Sequence, residues 1–491
     1  MQSAKAELII QPLNIEKPEA KRALALDALR GFAILTMFLS GRVPFGVLPD
    51  WMYHAQVPPP FHKFISTLPG ITWVDLVFPF FLFSMGAAIP LSLTNRLGKG
   101  TPHWKIYLGA VQRGLLLVGF AIYDQHIRPY ALNTNPGTLT WITSLLGFAL
   151  LFPVLGRLPE NWNRKLKTTI KVGGWIGVIL FLLLASYPHN SPHGTGFSLF
   201  RSDIIILVLA NVALTGTIIW MLTRTNWLLR AGILGLLIAI RLSHLEPGWV
   251  KVIWETSQQM WTRWIGYLYF QQYLFVIIPG TIAGDLIVKW INKPPKEISH
   301  GLSKPVILSI LYLMISFVLV LLIGMKGRWV PETLILCAFM CVAGWLLFRE
   351  VHTETEKYIK ALYIWGTYWL ILGLFFEPFE GGIKKDHPTL SYYFITAALA
   401  SFVLIAFTIL INILKKQRWL ELLIDNGQNP MIGYAGITNL LPPLLALTML
   451  GELLHWLTPT PWLGVLRAVF ETILLGLLVS LFTRNKIFLR T

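Results

Sequence analysis

Apolar stretches of about 20 residues recur along this chain from one end to the other, and each is long enough to cross a hydrocarbon core of roughly 30 Å as a helix. They fall near residues 31–48, 73–94, 106–124, 137–156, 168–187, 203–222, 226–243, 264–288, 305–324, 330–348, 359–376, 392–414, 429–450 and 465–483, with the weakest signal in the seventh, thirteenth and fourteenth. The segment 244–263 between two of them is Trp-rich and more polar, and reads as lying along a membrane interface. Charged residues make up 13% of the 491, against about 25% in soluble domains, and mean hydropathy is +0.60. The predicted fold is therefore all-α: a polytopic membrane helical bundle of roughly 11–14 transmembrane helices whose first partner is the lipid bilayer.

Basic residues give the orientation. Alternate connecting segments, beginning with 1–26 and ending with 484–491, hold 28 of the 41 Lys and Arg, and the intervening segments hold 12. Positive charge favours the cytoplasmic side, so both termini are expected inside and the loop 42–72 outside. The net charge of +17 follows from the same arrangement, with basic loops facing anionic headgroups, and it calls for no nucleic acid. Residues 1–23 read as a cytoplasmic N-terminal segment ahead of an uncleaved anchor, and 24–491 as a single transmembrane domain. Cys337 and Cys341, four apart on one apolar helix, are packing residues, and no metal site is expected. Gly173/Gly177 and Gly280/Gly284 have the spacing that lets helices approach closely, either within one subunit or in a homodimer.

The chemistry-bearing residues gather at the ends of the spans. Asp75 opens the otherwise apolar run Asp75-Leu76-Val77-Phe78-Pro79. A carboxylate within a span costs about 2.5–3.5 kcal/mol on insertion scales, so a partner or a task must offset it. The preceding loop carries His54-Ala55-Gln56-Val57-Pro58-Pro59-Pro60-Phe61-His62, a proline-stiffened segment with two histidines. Histidine exchanges protons readily near neutral pH, and a carboxylate can set its tautomer. Spacing alone does not choose between His54 and His62. A second loop expected on the same side, Glu377 to Pro388, mixes charges of both signs and reads either as a salt-bridged turn or as a substrate-facing loop. At the opposite mouth, Asp27 and Arg30 share a helical face and can pair, leaving Arg30 either an anchor or a ligand for an anionic cofactor. Arg113 either snorkels to headgroups or grips a phosphate. Asn429 precedes a helix start and reads first as a cap, with an anion site as the second reading.

The stretch from Leu24 to Leu91 resembles the heparan-alpha-glucosaminide N-acetyltransferase family of transmembrane acetyltransferases, in its bacterial branch. The family opens with a run matched by Leu24, Asp27, Arg30 and Gly31. It continues through His54-Ala55, then Gly70-Ile71-Thr72-Trp73-Val74-Asp75-Leu76-Val77-Phe78-Pro79, then Met85-Gly86. Later, Glu380 to Tyr392 and Gln428-Asn429-Pro430 to Tyr434 look like motifs of the bacterial branch. The spacing from histidine to aspartate is longer here than in the family, which keeps His62 beside His54 as a candidate. Where the family has an asparagine near the end of the first span, this chain has Ser40-Gly41.

The resemblance implies an acyltransferase of a bacterial inner (cytoplasmic) membrane. It would move an acetyl group from cytoplasmic acetyl-CoA to an amino sugar or sugar hydroxyl, the saccharide acceptor, on the far side. It makes His54 catalytic, with Asp75 as its aspartate. The histidine would either deprotonate the acceptor or carry the acetyl itself. Arg30, Arg113 and Asn429 would then hold the acetyl-CoA nucleotide. The competing reading is a proton-coupled transporter of a sugar or organic anion that uses His54, Asp75 and Glu377.

Overall fold

The computed structural model describes residues 23–46, 48–159, 161–188, 196–257, 264–293, 301–456 and 458–490. The expected N-terminal segment 1–23 lies outside the described residues except for Ala23. The architecture is all-helical, and 12 helices among the described residues are long and apolar enough to cross a membrane. In chain order the spans are α1 (Leu24–Arg42), α2 (Trp73–Gly98), α3 (His103–His126), α4 (Thr138–Leu155), α5 (Arg164–Leu184) and α6 (Ile204–Thr223). A shorter helix follows, α7 (Trp227–Ser243). Then come α8 (Leu268–Ile291), α9 (Lys304–Lys326), α10 (Val330–Leu347), α11 (Glu354–Phe375) and α12 (Leu390–Ile413). A broken segment starts with α13 (Pro430–Asn439), and α14 (Pro461–Arg484) closes the set.

The two sequence spans that do not qualify fail for identifiable reasons. The seventh forms α7, which has 17 residues and carries two arginines, Arg230 and Arg241, both buried. Arg230 is neutralised inside the bundle by Asp285 at 2.6 Å, which offsets the cost of placing it there. The thirteenth stops at Asn439 and resumes as two short pieces, Leu441–Ala446 and Met449–His455. Pro442 and Pro443 lack amide hydrogens and cannot extend the preceding helix, so the apolar run breaks there. The fourteenth is an intact helix of 24 residues. In the Trp-rich segment 244–263, Trp249–Thr256 forms a short helix that leaves Trp249, Val252 and Ile253 exposed.

Glycine decides which helices touch backbone to backbone. A Cβ on Gly280 would meet the carbonyl of Phe83, one on Gly284 that of Ala87, and one on Gly86 that of Ile277. The Gly280/Gly284 spacing thus serves the α2–α8 crossing within one subunit, where side chains larger than hydrogen would force the axes apart. Gly177 likewise faces Leu150 of α4. Gly31 sits against the Leu423 carbonyl, and Gly427 against that of Asp27, so α1 lies in close contact with the short helix Glu421–Gln428. The Arg-Gly pair of α1 therefore has a packing reason: Gly31 admits the neighbour, and Arg30 Nη1 donates to the Gly427 carbonyl at 2.9 Å. At the centre runs α12, buried along most of its length, with Thr396, Ser401 and Thr408 bonded to the helix's own carbonyls. A helix apolar all round belongs where protein surrounds it on every side.

Candidate functional site

The loop after α1 is folded onto the start of α2 by Thr72 and Asp75, which form a capping box. Asp75 Oδ2 accepts the Thr72 N–H at 2.9 Å and the Ala55 N–H at 3.2 Å, and the Thr72 hydroxyl donates to the Tyr53 carbonyl at 2.6 Å. The Tyr392 hydroxyl of α12 donates to the Asp75 carbonyl at 2.8 Å. One oxygen of this fully buried carboxylate thus holds the loop around His54 in place. The burial cost of Asp75 is met by amide donors at a helix N-terminus, where negative charge is favoured.

His54 lies between two carboxylates. Its Nε2 is 2.8 Å from Asp386 Oδ2, and its Nδ1 accepts the Gln56 amide N–H at 3.0 Å. A backbone amide can only donate, so Nδ1 presents its lone pair and the ring hydrogen sits on Nε2, aimed at Asp386. Asp75 Oδ1 is 3.5 Å from Nδ1, buried and without a hydrogen-bond partner of its own, and Lys385 Nζ lies 3.8 Å from it. An imidazolium at this position would keep Asp386 at Nε2, and would gain Asp75 Oδ1 at Nδ1 in exchange for the Gln56 amide contact. Burial pushes the Asp386 carboxyl up, but the hydrogen bond to His54 and the Lys385 ammonium outweigh it and hold that carboxyl below its ordinary range.

Asp386 comes from the mixed-charge loop 377–388, and the charges of that loop are what position it. Arg241 of α7 grips Glu380 Oε1 through Nε at 3.1 Å and Nη2 at 2.5 Å, and reaches the Pro388 carbonyl at 2.6 Å. Arg328 pairs with Glu377 at 2.6 Å. Gly381 and Gly382 turn the chain at φ +74° and +87°, a region glycine enters without strain. Gln56, fully buried, joins the two loops: its Oε1 accepts the Asp386 N–H at 2.8 Å, and its amide donates to the carbonyls of Asp386 and Ser66.

His62 is placed elsewhere. Its ring packs against Phe45 and Tyr53 at centroid distances of 4.6 and 4.5 Å, and its Nε2 lies 3.3 Å from the Gly46 carbonyl. No ion pair joins it to a carboxylate among the described residues. Ser40, standing near the family's asparagine, donates its hydroxyl to the Met37 carbonyl at 2.8 Å.

At the other end of α2 lies a cavity of about 660 Å³ whose wall carries Arg30, Arg96, Arg113 and Arg490 with Asp27. Arg30 and Arg113 therefore do converge on one vestibule. Arg30 also keeps its helical neighbour Asp27 at 3.4 Å, while Arg113 has no carboxylate partner among the described residues. Asn429 is not in the wall. It is fully buried, and its side-chain amide donates to the Ile487 carbonyl at 2.7 Å. From Asp75 to Arg96 along α2 is about 30 Å at 1.5 Å per residue, so the two sites are a hydrocarbon thickness apart. The cavity runs up α2 as far as Phe81, and a void of about 10 Å³ continues past Ala33, Val77 and Phe78. Tyr434 of α13 borders both spaces, and its hydroxyl donates to Asp203 at 2.8 Å. Arg128 bridges Asp203 and Asp124 at 3.0 Å each, which anchors that tyrosine.

Asp386, Gln56, Arg96 and Arg490 were not singled out by sequence. For Asp386 the signal was there, in a polar loop between apolar spans with a charge for each neighbour. Nothing in the sequence marks Gln56.

A family match covers the N-terminal part of the chain. Residues 22–287 match the family described as domain of unknown function (DUF5009). Heparan-alpha-glucosaminide N-acetyltransferase of Mus musculus is 33% identical over 217 residues, covering 38% of this chain and 31% of that protein. The Homo sapiens protein of the same name is 24% identical over 202 residues, covering 36% and 28%. The matches thus span less than a third of the length of those relatives. The region matched by the family contains α1 to most of α8, with His54, Asp75, Arg30, Arg96 and Arg113. This chain belongs to the DUF5009 family and is a distant relative of the heparan-alpha-glucosaminide N-acetyltransferases.

Proposed function

We propose that this protein is a transmembrane acetyltransferase in which His54, flanked by Asp386 and Asp75, is the general base. The observation that carries the reading is a histidine with a carboxylate at each ring nitrogen, placed about 30 Å along α2 from an arginine-lined cavity. The donor is acetyl-CoA, its phosphates among the arginines and its thioester end directed along α2. Acetyl-CoA is too charged to cross a bilayer, while the acetyl group is small and neutral. The acceptor is an amino sugar or sugar hydroxyl that reaches His54 from the loop side. Its nitrogen or oxygen attacks the thioester carbonyl carbon, the new bond to carbon forms and the C–S bond breaks. The acceptor's proton passes to His54 Nδ1, displacing the Gln56 amide contact, and then to the departing thiolate. Charge on His54 exists only while the proton is held there, so the two carboxylates favour the transition state over the resting ring.

The proposal places both termini and the arginine cavity in the cytoplasm of a bacterial cell, with residues 24–491 as one domain. The narrow passage at Phe78, Phe81 and Tyr434 must widen when the donor is bound. Incubating the purified protein with acetyl-labelled acetyl-CoA and a panel of amino sugars tests the reading. Transfer of label that His54→Ala abolishes in a folded protein supports it. Uptake of sugar into vesicles without acetylation favours the transporter instead.

A further inference from the structure

Beyond α14 the chain turns at Lys486, where φ is +58°, and crosses back over the bundle as a short strap. Arg157 N–H donates to the Phe488 carbonyl at 3.0 Å and Arg490 N–H to the Leu155 carbonyl at 2.9 Å, so Leu489 pairs antiparallel with Gly156. Asn429 clamps the other side of the strap: its Nδ2 donates to the Ile487 carbonyl at 2.7 Å, and its Oδ1 accepts the Leu489 N–H at 3.4 Å. Within the strap Leu489 is buried, while Arg490 is exposed on the cavity wall.

We propose that this strap, residues 485–490, is a phosphate-recognition element that makes the cavity selective for nucleotide-bearing acyl carriers over bare pantetheine thioesters. The inference rests on the reading of the cavity as the donor site. Arg30, Arg96 and Arg113 are built into α1, α2 and α3, and line the vestibule from rigid helices. Arg490 joins them from a strap held by Asn429 and by the backbone of Leu155 and Arg157. Guanidinium groups bind phosphate oxygens in a planar fork and stay charged when partly desolvated. Four of them around one lining aspartate repel each other in the cavity, and a polyanion relieves that repulsion. Coenzyme A carries phosphate at two separate places, a pyrophosphate and a monoester, which suits several cations around one vestibule. Pantetheine carries none, and gives Arg490 nothing to hold. Asn429 is thereby a positioning residue, acting on the nucleotide through the strap.

The test measures dissociation constants of coenzyme A and of pantetheine for the full-length protein in detergent or nanodiscs. Arg490→Ala is expected to weaken coenzyme A binding by about tenfold or more and leave pantetheine binding unchanged. Asn429→Ala is expected to move in the same direction, with coenzyme A again losing more than pantetheine. A folding defect would lower both ligands together, so the ratio of the two affinities is the readout. Unaltered coenzyme A affinity in Arg490→Ala, or equal loss of both ligands in both variants, overturns the strap proposal while leaving the donor site standing. Failure of the unmodified protein to bind coenzyme A at all would instead remove the donor site itself.

Discussion

Asp386→Asn separates the chemistry of the site from its scaffolding. The substitution keeps the shape, and the amide oxygen it introduces would still face His54 Nε2, so what is lost is the negative charge at 2.8 Å. Two unit charges at about 4 Å interact by about 4 kcal/mol at an effective dielectric of about 20 and by about 1 kcal/mol in water. The Asp386 side chain is 50% exposed, which places it nearer the aqueous limit. A loss of about 1.5–2 kcal/mol is expected, or roughly 10- to 30-fold in kcat. KM for acetyl-CoA should hold, because the charge acts on the imidazolium and the proposed donor site lies at the other end of α2. Asp75→Asn should behave differently. That carboxylate is fully buried and caps α2 with its Oδ2, so its loss also costs about 0.5–2 kcal/mol of stability. Steady-state kinetics with labelled acetyl-CoA, paired with melting temperatures in detergent, gives both quantities. An Asp386→Asn protein that retains kcat within about twofold, or that melts as early as Asp75→Asn, would refute this division of roles.

The remaining predictions concern stability, residue assignment and topology. Because the folded state holds the Asp386 carboxyl below its ordinary value, the contact adds stability above the unfolded pKa of about 3.9, and that stability is lost as pH falls through the lowered folded value. The melting-temperature gap between the unmodified protein and Asp386→Asn should therefore be flat above about pH 5 and close in acid; a gap that widens on acidification would contradict the sign. His54→Ala should abolish transfer and His62→Ala should leave most of it, since His62 packs with Phe45 and Tyr53 away from both carboxylates; the reverse pattern would move the site to His62. Cysteines placed at Lys63 and Lys165 should react with an impermeant thiol reagent from the outer and inner faces respectively, and labelling of both from one face would overturn the orientation. Gly427→Val should separate the helix Glu421–Gln428 from α1 and lower both melting temperature and coenzyme A affinity, because its Cβ would collide with the Asp27 carbonyl. Normal melting in that variant would show that the contact yields more readily than its backbone geometry implies.

The length and continuity of the apolar runs were enough to determine a helical membrane bundle, because a backbone in hydrocarbon has to satisfy its own hydrogen bonds and a span has a minimum length. The buried aspartate at the head of α2, the histidine ahead of it and the arginines at the opposite mouth were legible for the same reason: charge is costly there and stands out. Membership of a larger family was legible in the run from Leu24 to Leu91. What sequence could not decide is which distant loop closes on which histidine. Asp386 lies more than 300 residues from His54, and it arrives there because Arg241, Arg328 and Gln56 hold its loop across the bundle. Each of those residues looked ordinary in the chain, since the partner that gives it a purpose is remote. The different settings of His54 and His62 are likewise tertiary: carboxylates meet the first ring, and an aromatic stack with Phe45 and Tyr53 holds the second. Asn429 reads as a helix cap or an anion ligand until the strap that it clamps is seen beside it. Local periodicity reports the cost of burial at each position; only packing of the whole chain reports which groups meet to offset it.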